Sequence, residues 1–499
     1  MEVKFQKKAL DCLRSVVWES KSEEQTLEVK LPDAMPDIGR VLGAWGQPLI
    51  RSKEWRGDGM SVAGGVMVWV LYAPEDASMP RTVETWVPFQ MRWEFPKTQR
   101  DGTITVSCLL RSVDARLVNA RKLMTRVVVD MAGEALEPSQ LEVYEPGKLP
   151  DDVCILRRNY PLVIPRESGE KTFSLDEELS LPATCMDVQK LVHYSLQPEL
   201  IDKKVMGDKV VFRGTALVHA LCRCGDGVFK TCDFDIPFSQ YAELSKEYDS
   251  YATATVVPMV TNLELDLQDS GSLRLKAGMA GQYVVSDRPV VEAIEDAYSP
   301  KRNVSLQRED LEIPSILEQK QELIKAEQTL QIDGEIPLDM AFFMGQPTLL
   351  RGERGVSVDI PGNFQMISLD EQGNLHGNTV RWTETMEIPA DGRCRILATA
   401  RPSGRPQGML TAGNGSIRCD VLMETTARCS TAIPQITGLE LGELLPADPD
   451  RPSLILRRVE NDSLWDMAKA CGSTVEAIMV ANGLAEAPEQ GKILLIPVS

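Results

Sequence analysis

The residues of this chain best suited to chemistry are His219, Cys222, Cys224 and Cys232, an imidazole and three thiols in the spacing His-x2-Cys-x-Cys-x7-Cys. These are zinc-ligand types. They lie on a run of β-formers, VVFRGTALVHALCRC, and residues two apart on a strand share a face. Cys222 and Cys224 therefore point together while His219 points the other way, so a single ion cannot take all four. The expectation is buried thiols and no metal. Only two other histidines exist, His193 and His376, which leaves little material for imidazole acid–base work. Gly169-Glu170-Lys171-Thr172 lacks the glycine that a phosphate loop places before its lysine. The chain has no GxSxG elbow and no HExxH pair. The acidic clusters Asp176-Glu177-Glu178 and Glu264/Asp266/Asp269 lack calcium-loop spacing and read as solvated faces. No catalytic residue, cofactor or metal ligand is expected.

Bulk properties narrow the partners. Lys and Arg number 54 against 73 Asp and Glu, a net charge of −19 over 499 residues. Nucleic-acid binding is driven by cations that displace counterions from phosphate, and anionic membranes likewise attract basic segments. Neither surface suits this chain, so no nucleic-acid partner and no direct membrane insertion are expected. The longest apolar stretch, Val66–Tyr72, is far short of the roughly 20 residues of a membrane helix. Eleven scattered cysteines, an odd number, read as free thiols of a reducing compartment. With no signal-like apolar core at the N-terminus, a cytoplasmic location is expected.

The elements that must position these residues are set by duplication. Leu31–Gly64 matches Leu181–Gly214 at a constant offset, with Leu31/Leu181, Pro32/Pro182, Asp37/Asp187, Gln47/Gln197, Pro48/Pro198, Lys53/Lys203, Gly57/Gly207, Asp58/Asp208 and Gly64/Gly214 identical. Chance supplies roughly two such matches from average residue usage. Val87-Pro88-Phe89 then answers Ile236-Pro237-Phe238, and Met131-Ala132-Gly133 answers Met279-Ala280-Gly281. A fainter third copy is marked by Glu327-Gln328-Thr329-Leu330, which repeats Glu24–Leu27, and by Gly352–Val358. Each copy alternates short β-rich runs with Gly, Pro and Asp turns such as Gly225-Asp226-Gly227. Ser315–Gln328 carries strong helix formers, yet its counterparts in the other copies do not, so the repeat argues for an extended segment. The fold expected is mainly β: tandem antiparallel β-sandwich-like repeats at 1–145, 146–300 and 301–443, then a small β-α-α-β domain. Linkers are expected at Glu142–Asp152, Tyr298–Asn303 and, richest in proline, 444–453. Trp45, Trp55, Trp69, Trp86 and Trp93 concentrate in the first copy, with Trp69 read as core and Trp86 as outward-facing.

After the proline-rich linker, a strand at Leu454–Val459 precedes a helix capped by Asp462 or Ser463. Leu464, Met467, Ala468 and Cys471 form its buried stripe, and Gly472 stops it. Ser473 and Glu476 suggest a capping box for a second helix, with Val475, Ile478, Met479 and Asn482 on its face and Gly483 as the left-handed stop. A closing strand at Lys492–Pro497 completes residues 454–499. Trp465 lies about 100° round the helix from Leu464, beside Lys469. It is read as an exposed hot spot or as a cover for the edge of the small core.

Asp462-Ser463-Leu464, Ala468, Thr474, Val475, Ile478, Asn482-Gly483-Leu484, Gly491 and Ile496-Pro497 resemble the LysM pattern. That resemblance implies a shallow groove built by Asn461, Asp462, Ser463, Leu464 and Trp465, with Lys469 alongside and Asn482, Gly483 and Leu484 opposite. LysM domains commonly take N-acetylglucosamine polymers there; Asn461 replaces a family glycine and crowds the first loop. Tandem repeats carrying LP-x4-D-[IV] and then [VI]-P-F, closed by such a module, resemble SipL-type spore-coat proteins with SPOCS repeats. The resemblance implies a non-enzymatic scaffold in the mother-cell cytoplasm at the forespore surface. Its implied partners are a coat morphogenetic ATPase of the SpoIVA type and other coat proteins. A peptidoglycan or N-acetylglucosamine-polymer binder is the alternative.

Overall fold

The computed structural model describes residues 2–498 except 77, 99, 186, 270, 332–334, 353–354, 389–393, 412–413 and 447–450. It is built almost wholly of antiparallel strands. A short β1 (Glu2–Val3) leads into β2 (Phe5–Lys30), β3 (Ile38–Arg56), β4 (Gly59–Pro74), β5 (Arg81–Glu94), β6 (Thr103–Asn119) and β7 (Lys122–Pro146). Then come β8 (Cys154–Pro161), β9 (Ile164–Leu179), β10 (Val188–Cys224), β11 (Phe229–Tyr248), β12 (Thr253–Leu267), β13 (Leu273–Asp287) and β14 (Val290–Tyr298). A third set follows as β15 (Arg302–Gln331), β16 (Ile336–Met344), β17 (Thr348–Gly352), β18 (Gly355–Leu369), β19 (Leu375–Ile388), β20 (Cys394–Thr411) and β21 (Asn414–Leu444). The C-terminal module comprises β22 (Leu454–Arg458), α1 (Leu464–Cys471), α2 (Val475–Asn482) and β23 (Ile493–Pro497).

The three sets share one pairing scheme. In the first, β2-β7-β6 and β3-β4-β5 form two sheets; in the third, β15-β21-β20 and β16-β18-β19 repeat that order. In the second, β9-β13-β12 corresponds to the first sheet and β10-β11 to the other. The left-handed Gly207 (φ 62°) folds the long β10 back on itself at the position of the β3–β4 turn. Gly64 and Gly214, identical in the sequence repeat, have one physical cause. A Cβ on Gly64 would lie 2.2 Å from the Leu49 carbonyl, and one on Gly214 would lie 2.1 Å from that of Glu199, so only glycine lets these strands approach.

Alternation decides which way side chains face. Along β5, Val83, Val87, Phe89, Met91 and Trp93 are buried while Glu84, Pro88, Gln90, Arg92 and Glu94 are not. β4 instead reads as an unbroken apolar run because both of its faces are covered. Val66, Val68, Val70 and Tyr72 enter the first repeat's own core, whereas Trp69 and Leu71 enter a junction with the other two repeats. Ser315–Gln328 lies inside β15, hydrogen-bonded along β21 from Arg302↔Leu444 to Gln331↔Asn414. This ladder overrides the local helix propensity, as tertiary context routinely does.

The repeats close around a central axis in cyclic order. Leu196 N–H donates to Gln47 Oε1 (2.9 Å), Gln197 Nε2 to the Pro402 carbonyl (3.0 Å), and Gln346 Nε2 to the Ser107 carbonyl (3.2 Å). Thus repeat one clasps two, two clasps three, and three clasps one. The third glutamine sits in Gly345-Gln346-Pro347, which matches Gly46-Gln47-Pro48 and further marks the third copy. The axis is filled by Trp45, Trp69, Val192, Leu221, Ile367 and Leu375. A second junction, with Leu141, Ile164, Ala293, Ile313 and Ile433, again draws on all three repeats.

Several expectations need correction. Glu142–Pro146, read as linker, is strand paired with β2 from Phe5↔Pro146 to Ala9↔Glu142. Trp86 is not outward: it packs half-buried on the second repeat's core, with the Arg51 guanidinium 5.3 Å from its ring centroid. Cys394 and Cys429, opposed across β20 and β21, form a disulfide, against the expectation of free thiols; the other nine cysteines are in no disulfide. Of the linker at 444–453, residues 447–450 lie outside the described residues. No helix among the described residues is long and apolar enough to cross a membrane.

Candidate functional site

The C-terminal module folds for local reasons visible in its sequence. Ser463 is the N-cap of α1: its hydroxyl accepts from Asp466 N–H (3.2 Å), and the Asp466 carboxylate accepts from Ser463 N–H (3.2 Å). Gly472 and Gly483 end the helices in left-handed conformation (φ 64° and 60°). The cap of α2 is Thr474, not Ser473: its hydroxyl accepts from Ala477 N–H (3.1 Å). Ser473 lies one residue before that cap, and its N–H closes the end of α1 on the Ala468 carbonyl (2.8 Å). β22 and β23 pair from Leu454↔Pro497 to Arg458↔Ile493, over a core of Met467, Ala468, Ile478, Leu494 and Ile496.

Trp465 and Lys469 share a face, as helical spacing requires, but that face is docked on the second repeat. Trp465 Nε1–H donates to Asp296 Oδ2 (2.9 Å), and Lys469 Nζ donates to the same oxygen (2.7 Å). Arg308 reaches Asp296 Oδ1 (2.6 Å). The Trp465 ring meets Tyr298 edge-on, with centroids 4.7 Å apart and planes at 75°. Tyr298 OH donates to the Ser473 carbonyl (3.0 Å). Burial pushes the Asp296 carboxyl up, but hydrogen bonds from Lys469 and Trp465, with the charges of Lys469 and Arg308, hold it below the usual carboxylate range.

The remaining groove residues are structural for the most part. Asn482 splices α2 to β23: its Oδ1 accepts from Leu495 N–H (2.8 Å) and its Nδ2 donates to the Leu495 carbonyl (2.6 Å). Leu464 and Leu484 pack on the small core, Asp462 pairs with Arg457, and exposed Asn461 accepts from Gln490 (2.9 Å). What stays open is the outer face of β22–β23, with Leu456 68% and Ile493 57% exposed beside Leu454 and Leu495. Sequence alternation carried this signal: with Ile455, Leu494 and Ile496 inward, the residues between them must face out.

A second constellation lies on the axis. Cys222, Cys224 and Cys232 are in the second repeat's core, and His219 projects from the opposite face, as strand parity requires. There His219 Nε2 lies 2.7 Å from Asp339 Oδ1, and His193 Nε2 lies 2.9 Å from Asp339 Oδ2. The outer nitrogen of His219, Nδ1, bonds Asp233 (2.7 Å), while the His193 ring stacks on Trp45 at 4.1 Å. Burial disfavours the His219 imidazolium, but the two carboxylates prevail and push its pKa up to about 10. Burial holds His193 below its ordinary value. These groups border a cavity of about 330 Å³ lined by all three repeats. The hairpin register of the first repeat, Trp45↔Trp69, makes His193 and His219 diagonal neighbours. Nothing in the sequence brought Asp339 to them.

Compared with known proteins, residues 187–268 match the family model of the SipL SPOCS domain. The chain thus carries a SPOCS domain and is SipL-like in that respect, which ties it to sporulation. No curated protein and no solved structure matches it.

Proposed function

We propose that this chain, as the bearer of a SPOCS domain, is a non-enzymatic scaffold of spore-coat assembly. It recruits or anchors a coat morphogenetic ATPase of the SpoIVA type, and other coat proteins, at the forespore surface in the mother cell. The observation that carries this reading is the open apolar face of β22–β23, formed by Leu454, Leu456, Ile493 and Leu495. Contiguous exposed apolar surface marks interaction sites. The face sits on a LysM-like β-α-α-β module whose other side is seated on a large body closed by its own cores. Arg458 and Lys492 flank the face, in a chain of net charge −19. The net negative charge of the whole chain favours a basic patch on the partner.

The reading separates from the glycan alternative on the full chain. Leu456→Glu with Leu495→Lys changes only outward side chains and sets opposite charges across the Leu456↔Leu495 pair, so the module stays folded. Coat-ATPase binding in a titration falls at least 10-fold, and chitin oligomers bind neither protein. Chitin binding without ATPase binding would promote the glycan anchor instead.

A further inference from the structure

We propose that His193, His219 and Asp339 form a binding site for a divalent transition cation of the zinc type, which clamps the second repeat to the third. Three groups of the right chemistry converge, two imidazole Nε2 atoms and a carboxylate, all within 4.8 Å of one another; the cation takes the place of the proton that His219 Nε2 holds toward Asp339 and releases it to solvent. Two imidazoles and a carboxylate form a ligand set such cations take. To surround a tetrahedral cation at about 2.0–2.2 Å from each ligand, the present spacings of 2.7 and 2.9 Å open to about 3.3–3.6 Å, and the two Nε2 atoms, within 4.8 Å of each other, settle at that same spacing.

The surroundings support the donors as well. Metal-binding histidines commonly give their outer N–H to a carboxylate, which fixes the ring, and Asp233 stands 2.7 Å from His219 Nδ1. Arg405 holds the Asp233 strand in turn, at 2.8 Å from the Phe234 carbonyl and 2.7 Å from Asp235. His193 is fixed by Trp45, and its Nδ1 is buried without a hydrogen-bond partner. The stacking keeps Nε2 aimed at Asp339, while the lack of an acceptor at Nδ1 makes His193 the weaker of the two imidazole ligands. The cavity beside the cluster leaves room for water or a small anion in a fourth coordination position. This site does not depend on the coat-scaffold reading, and its test is read without any partner protein.

The experiment titrates the full, chelator-treated chain with Zn²⁺ and with Co²⁺, followed by calorimetry and by X-ray absorption of the zinc-loaded protein. One equivalent binds, with nitrogen and oxygen ligands and the scattering of two imidazoles. The chain has three histidines, and the third, His376, at the start of β19, is bonded to Asp370 (3.0 Å). His193→Gln and Asp339→Asn abolish stoichiometric binding, and Asp233→Asn weakens it about 10- to 100-fold. Absence of stoichiometric binding, a sulfur-rich ligand set, or unchanged affinity in both ligand variants would overturn the site. Should the variants fail to fold, the ligand set of the wild-type protein decides alone.

Discussion

Around the axis, Trp45, Trp69, Val192, Leu221, Ile367 and Leu375 bring three repeats into one apolar junction, and three equivalent glutamines clasp neighbouring strands in a ring. Beneath the C-terminal module, by contrast, one aspartate and one tyrosine do most of the holding: Asp296 takes Trp465 and Lys469, and Tyr298 takes the Ser473 carbonyl. The first interface removes large side chains from water, which is costly to reverse. The second sets one aromatic contact, Trp465 against the buried Tyr298, beside a few polar contacts whose net worth is about 0.5–3 kcal/mol each. The body is therefore a permanent assembly of its own repeats, and the module a lightly seated appendage. That division suits a scaffold that must present one small surface from a rigid frame.

The contrast can be broken most forcefully at the axis. Trp69→Ala empties the junction and is expected to cost about 3–5 kcal/mol. Urea unfolding should show the loss in all three repeats together; a loss confined to the first repeat would mean that the junction does not couple them.

A smaller effect is expected at the seat. Asp296→Ala should weaken docking by about 1–3 kcal/mol while leaving the body's unfolding midpoint in place. Faster proteolysis within 444–453 is the readout. Because the Asp296 pKa is depressed in the docked state, its contribution is complete above the ordinary carboxylate pKa of about 3.9. It is lost as pH falls through the lower docked value. Wild-type docking should therefore loosen in acid below about pH 4, and the Asp296→Ala protein should show no such step. A pH response that survives the substitution would assign the seat to other groups.

The smallest effect sharpens the comparison inside the module. Ser463→Ala removes the α1 cap and should cost the module about 1 kcal/mol. The far-UV melt of the helices should shift, with no change in the repeats.

Much of this was legible in residue order. The offset between Leu31–Gly64 and Leu181–Gly214 revealed the duplication, and Gly64 and Gly214 proved to be places where no Cβ fits. The parity of His219 against Cys222 and Cys224 held because it depends only on strand geometry. The extended form of Ser315–Gln328 followed from the repeat rather than from propensity. Of the two readings of Trp465, the exposed one did not survive while packing at the edge of the small core did, since helical spacing fixes which side a residue occupies but not what else covers it. Ser473 and Thr474 both offer a hydroxyl, and only the exact start of the second helix, at Val475, made Thr474 the cap.

The sequence by itself determined the periodicities, turns and caps, which arise from interactions a few residues apart or from copying of one unit. Tertiary structure alone decided the closure of three repeats around an axis and the seating of Trp465 on Asp296. It also brought Asp339 between two histidines 146 and 120 positions away in the chain. Such encounters depend on how complete surfaces pack, and no local pattern encodes which strand of one repeat will face which strand of the next.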